Sequence, residues 1–132
     1  MSVFQRTSPK TTKISSNELP RFAIGHLSIE ANDVDKLTNF YTNVGLRLVV
    51  NMGRASILEL RGGTHIIVRA GRGGQATLDF IVDDIDDTHA VLQTAGATVT
   101  SIRRGNPHDS FVATDPEGNE LHVHSTHAIG LV

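Results

Sequence analysis

His26-Leu-Ser-Ile-Glu-Ala-Asn-Asp33 and, 51 positions further on, Thr77-Leu-Asp-Phe-Ile-Val-Asp-Asp84 are one pattern written twice. Leu27, Ile29 and Ala31 alternate as one face of a strand, and Leu78, Phe80 and Val82 repeat that alternation. The residues between them, His26, Ser28 and Glu30 in the first copy and Thr77, Asp79 and Ile81 in the second, must point to the opposite face. Each run ends at an aspartate, Asp33 or Asp84, placed where a carboxylate accepts the free amides of a helix's first turn. The same shift, without a gap, lays Gly45 over Gly96, each where a left-handed residue ends a helix.

Working outward, Val34, Leu37, Tyr41 and Val44 recur at spacings of three and four and give the first helix one apolar stripe. Ile85, Leu92 and Ala95 do the same for the second. Strands follow each helix: Leu46 to Asn51, Ala55 to Leu60 and His65 to Arg69, then Ala97 to Ile102, Ser110 to Ala113 and Glu120 to His124. The order reads as two tandem βαβββ modules, residues 21–70 and 75–126, joined by the Gly-rich break Ala70-Gly-Arg-Gly-Gly-Gln75. A ferredoxin-like βαββαβ arrangement uses the same elements and stands as the competing topology. Residues 1–20, rich in Ser, Thr and Lys, form an N-terminal tail with too few apolar side chains to offset its ordering entropy, and 127–132 form a C-terminal one.

Bulk properties narrow the function. A chain of 132 residues with 39% hydrophobic content suits one domain with one core. The formal charge of -2 is spread without blocks, leaving no footprint for nucleic acid or an anionic membrane. No Cys is present, which excludes disulfides, thiolate metal sites and a cysteine nucleophile. No apolar run has the length of a membrane span and the N-terminus lacks the apolar core of a signal peptide, so a cytoplasmic location is expected.

Three motifs extend this picture. They are the opening His26-Leu-Ser-Ile leading to Asp33, the helix ending Asn39-Phe-Tyr-Thr-Asn-Val-Gly-Leu46, and the hairpin Thr114-Asp-Pro-Glu-Gly-Asn-Glu-Leu-His122. Together, from Ile24 to Ser125, they resemble the vicinal-oxygen-chelate superfamily of glyoxalases, bleomycin-resistance proteins and extradiol dioxygenases. The resemblance implies an α+β fold in which two βαβββ modules curl a mixed β-sheet into a cup, with helices outside and ligand inside. Alternation then assigns Leu27, Ile29, Leu78, Phe80, Leu121 and Val123 to the helix side. It assigns His26, Ser28, Glu30, Ile67, Arg69, Thr77, Asp79, Ile81, His122 and His124 to the cup.

In metal-dependent relatives the ligands come from the first strand of each module, the last strand and, in some, the fourth strand. Carried over by position, His26 matches and His122 replaces the usual closing Glu, whereas Thr77 and Ile67 stand where ligands would be. Catalytic zinc normally takes three protein ligands and an open position, so the pattern is half kept. Glu59, in Leu58-Glu-Leu60, resembles a ligand carboxylate by local sequence but precedes a further strand and is a second choice.

The resemblance thus implies three functions. The first is a small-molecule-binding cup, with Ser28, Ile67, Arg69, Thr77 and His124 as ligand contacts. In the second, a divalent-metal lyase, isomerase, dioxygenase or thiol transferase, His26 and His122 hold zinc, nickel, manganese or iron. The third is a metal-free acid–base enzyme using His122 with Glu30 or Asp79. All three imply a homodimer. Elsewhere, His89 reads as a solvent-facing helix residue and His108 as a loop residue on the cup rim. Arg69 and the pair Arg103-Arg104 are candidates for gripping an anionic substituent.

Overall fold

The computed structural model describes residues 13–105 and 108–126. Strand β1 (His26–Ala31) leads into helix α1 (Val34–Asn43), followed by β2 (Arg47–Asn51), β3 (Ala55–Glu59) and β4 (His65–Ala70). The pattern repeats as β5 (Thr77–Val82), α2 (Ile85–Thr94), β6 (Thr98–Val99), β7 (Ser110–Thr114) and β8 (Glu120–Ser125). Both helices start as their sequence dictates. Asp33 Oδ1 accepts from the Lys36 amide and Asp84 Oδ1 from the Asp87 amide, each at 3.0 Å. Past their ends, Gly45 and Gly96 take φ of 115° and 104°, a conformation that costs a side chain-bearing residue energy.

The strands pair into two four-stranded sheets, ordered β1-β4-β3-β2 and β5-β8-β7-β6, with β1 parallel to β4 and β5 parallel to β8. Each sheet draws all its strands from the unit that holds one helix, which selects βαβββ over the ferredoxin-like alternative. Helix α1 packs on the first sheet and α2 on the second. Leu37, Phe40 and Tyr41 meet Ile29, Leu58, Ile66 and Val68, while Ile85 and Leu92 meet Leu78, Phe111, Leu121 and Val123 in the core. Leu27 and Phe80 are partly buried against that core. Among the described residues no helix is long and apolar enough to cross a membrane.

One strand differs from expectation. Strand β6 was expected to span Ala97 to Ile102, but only Thr98 and Val99 pair in regular fashion. Thr100 explains the break: its hydroxyl, rather than a backbone carbonyl, accepts the Val112 amide at 3.0 Å. The chain then follows β7 through the isolated bridge Arg103↔Ser110. On the opposite edge, β2 slips register between Leu48 and Val50, and all five of its residues are exposed. Of the expected N-terminal tail, the described part, residues 13–20, holds only a turn closed by Ser15 and Glu18. The remaining tail residues, 1–12 and 127–132, lie outside the described part.

Side chains clasp the two modules together. The Glu117 carboxylate accepts from the Asn32 amide at 2.9 Å and the Asp33 amide at 3.0 Å, while Arg61 donates to Asp83 at 2.9 Å. A buried clasp lies under α1, where the Tyr41 hydroxyl donates to Asp115 Oδ2 at 2.6 Å. The same Asp115 organises its own turn, with Oδ1 accepting from Glu117 N and Asn119 N and Oδ2 from Asn119 Nδ2. Burial, and then the Asp115 charge, push the Tyr41 hydroxyl well above the ordinary tyrosine range.

Candidate functional site

Each helix covers one face of its sheet, so alternation leaves a second face open. On the first sheet the register sets side chains in rows across β3, β4 and β1: Glu59, His65 and His26; Ile57, Ile67 and Ser28; Ala55, Arg69 and Glu30. The second sheet gives Thr114, Glu120 and Thr77; Val112, His122 and Asp79; Ser110, His124 and Ile81. All these residues are exposed or half-buried, while their neighbours along the strands pack toward the helices. The ten residues assigned to the cup by alternation are therefore all on open faces.

The polar groups there make specific partnerships. Asp79 Oδ1 lies 3.2 Å from His124 Nε2, and the His124 ring stands 5.6 Å from that of His108. His108 in turn places Nδ1 2.9 Å from the Ser125 carbonyl. The tautomer that donates from Nε2 to this carboxylate leaves the Nδ1 lone pair of His124 as an acceptor. Although Asp79 and His122 are register partners, His122 Nε2 instead meets Glu120 Oε1 at 3.2 Å. Glu30 Oε1 accepts from the Arg72 amide at 3.3 Å, tying that carboxylate to the linker.

Other candidates divide clearly. Arg104 is held by Asp86 at 2.6 Å and Asp109 at 3.0 Å, and its guanidinium keeps both carboxyls below the usual range. It is therefore engaged rather than poised for an anion. Arg69 makes no such ion pair among the described residues and remains on the open face. His89, expected to face solvent, is half-buried: its Nε2 meets the Thr100 carbonyl at 2.8 Å and its ring stands edge-on to Phe111. The reason is the bent path of Thr100, which brings a carbonyl within reach of α2. His65 was overlooked, yet the alternation that put Ile67 and Arg69 on the open face puts His65 there too.

The metal implied by the resemblance can be tested against these positions. Thr77 and Ile67 offer no imidazole or carboxylate, the Nε2 of His122 is engaged by Glu120, and the described residues contain no group of three His, Asp or Glu able to hold an ion. The pair His26 and His122 thus does not fit a three-ligand catalytic centre within one chain. Two solvent-open concavities flank the sheets. One, about 550 Å³, is lined by the linker from Arg72 to Thr77 with Glu117 and Glu120; the other, about 580 Å³, lies between Arg47, Glu59 and Arg61.

Comparisons with known proteins agree with this architecture. Residues 26–124 match the family described as glyoxalase-like domain. A lactoylglutathione lyase from Agrobacterium tumefaciens superposes with a TM-score of 0.68 at 23% identity, covering 86% of this chain and 100% of its own. TnmS3, described as an antibiotic binding protein from Streptomyces sp. CB03234, gives 0.69 at 21% identity, with 82% and 98% covered. An integron cassette protein from the mobile metagenome of V. cholerae gives 0.65 at 25% identity, with 82% and 98% covered. Comparison with curated proteins gives no significant sequence match.

Proposed function

We propose, from the premise that the chain belongs to the glyoxalase-like domain family, that it binds a small organic molecule on its open sheet faces. The observation that carries this reading is the interleaving of polar and aliphatic side chains that the fold itself does not use. Ile57 and Ile67 offer apolar contact in the row of Ser28 and next to that of Arg69, Val112 does so in the row of Asp79, and Ile81 in the row of His124. A few convergent polar groups among apolar ones are the usual composition of a small-molecule site. In this reading His124, oriented by Asp79, accepts a hydrogen bond from the ligand, Arg69 meets an anionic or carbonyl substituent, and Ser28 and Thr77 add hydroxyl contacts. The fold is shared with a protein described as antibiotic binding and with one described as a lyase, so the scaffold serves both capture and chemistry.

Two copies pair in this proposal. Strand β2 and the turn that follows it leave Leu48, Val49, Val50 and Met52 between 40% and 60% exposed at an unpaired sheet edge, a surface that soluble proteins normally cover. A second copy seated there would also wall in the first sheet's open face. The test is a small-molecule screen by protein-observed NMR on the full chain, repeated with Asp79→Asn and Arg69→Ala. Hits should perturb amides of β1, β4, β5 and β8 and weaken in both variants. Perturbations confined to other surfaces, or hits indifferent to both substitutions, would overturn the reading.

A further inference from the structure

The short run of chain before β1 carries apolar surface that the fold leaves bare: Leu19, Phe22 and Ile24 are 89%, 87% and 64% exposed. Only the end of this run is fastened, where the Ile24 carbonyl accepts from Thr64 Oγ1 at 3.0 Å and the Gly25 carbonyl from the His65 amide at 2.9 Å. Among the described residues the amides from Arg21 to Ile24 donate to no backbone carbonyl, so the run keeps a free hydrogen-bonding edge. Strand β2, the outermost of the first sheet, has the matching free edge, with Leu48, Val49 and Val50 exposed on it and Met52 just beyond. The two cannot meet within one molecule. Strands β1, β4 and β2 all point the same way, so the run leaves the sheet at the end where β2 begins. Strands β4 and β3 also separate β1 from β2, a gap of about 14 Å at the usual strand spacing. Residues 19–24, fully extended, reach roughly 20 Å, so after crossing that gap little of the run is left to lie along β2.

We propose that residues 19–24 are an arm that seats on strand β2 of a second copy of this chain, which returns its own arm in the same way. The inference rests on the pairing proposed above and names the segment that makes it. Exchange of equal arms is two-fold symmetric and closes at two copies. Each arm extends its partner's sheet by one strand, so backbone hydrogen bonds and apolar burial act together. With roughly 200 Å² to a large apolar residue, the exposed surface of arm and edge amounts to about 850 Å² per contact and about 1,700 Å² per pair, the usual size of a specific interface. Val50 pairs with Ile57 and so carries the row of Ser28, Ile67 and Ile57 out to the sheet edge. A seated arm therefore adds the partner's side chains to the rim of the open face, and each copy completes the other's binding surface.

Sedimentation velocity of the full chain tests this in wild type, Phe22→Asp and Val49→Lys, with circular dichroism to confirm that each variant is folded. The expected result is a wild-type dimer whose dissociation constant rises roughly 100-fold or more in either variant, since the two-fold removes two anchors at once. Because the chain has no Cys, a short bismaleimide can join Phe22→Cys and Val49→Cys chains only at the introduced thiols. Cross-linked pairs are expected when the two chains are mixed and not from either alone. A dimer that Val49→Lys breaks and Phe22→Asp leaves intact would keep the pairing and overturn the arm. Cross-linking of Val49→Cys chains to one another in preference to Phe22→Cys chains would do the same, by seating β2 against β2. A monomeric wild type would remove the pairing and this proposal with it.

Discussion

Tyr41→Phe removes one hydroxyl and nothing else, at the point where α1 is fastened to the second module's hairpin. Tyr41 is 1% and Asp115 4% exposed, so water cannot take over the bond of 2.6 Å. A hydrogen bond to a charged acceptor is worth about 1.5–3 kcal/mol. Asp115 keeps its three donors from Glu117 and Asn119, so the carboxylate is weakened in its solvation but not abandoned. The expected loss is therefore about 2 kcal/mol. In urea, with a slope of about 2 kcal/mol/M, the midpoint should fall by about 1 M with the slope unchanged. Combined with Asp115→Asn, the double variant should lose less than the sum of the two, because the singles break the same bond. A midpoint for Tyr41→Phe within about 0.2 M of wild type, or strict additivity in the cycle, would refute the claim that this clasp stabilises the fold.

The same tyrosine sets an alkaline limit. Its folded pKa is raised, so its contribution is fully present below the unfolded value near 10 and is lost above it, by about 1.4 kcal/mol per pH unit. As Tyr41 is the chain's single tyrosine, tyrosinate absorbance should appear only together with unfolding; ionisation in the folded state would contradict this. Gly73→Ala should cost about 2 kcal/mol or more by chemical denaturation, because Gly73 has φ of 79° and a Cβ there would strike the Glu117 carboxylate that caps α1's entry. A wild-type midpoint would show that Glu117 moves aside freely. Sedimentation velocity should give a dimer for the wild type and a monomer for Val49→Lys on the exposed edge strand; a monomeric wild type would remove the proposed pairing.

Much of the fold was legible because strands buried on one side write their period into the sequence. Leu27, Ile29, Leu78, Phe80, Leu121 and Val123 all lie on the helix side, and Asp33 and Asp84 cap the helices as their spacing demands. What alternation could not show was which polar groups on a face would meet. Asp79 lies opposite His122 in register but bonds diagonally to His124, a choice made by side-chain rotamers rather than by strand position. The Asp115-Pro-Glu-Gly-Asn119 segment was readable as a turn, whereas its use of Asp115 to receive Tyr41 depends on a contact 74 positions away in the chain. Thr100 ended β6 early through a hydroxyl–amide bond, which hydrophobic pattern does not record.

Among the described residues the two sheets share no backbone ladder, and the glycines from Gly71 to Gly74 lead from one to the other, with Gly73 and Gly74 both in left-handed conformations. Every fastening named between the modules is made by side chains: Tyr41 to Asp115, Asn32 and Asp33 to Glu117, and Arg61 to Asp83. Such fastenings are indifferent to which molecule supplies each half. If the linker straightens, the first module of one chain can close on the second module of another with the same bonds, trading a tight turn for an intermolecular exchange. The history of a sample, its concentration while folding rather than its sequence, would then decide which of the two connected forms is recovered.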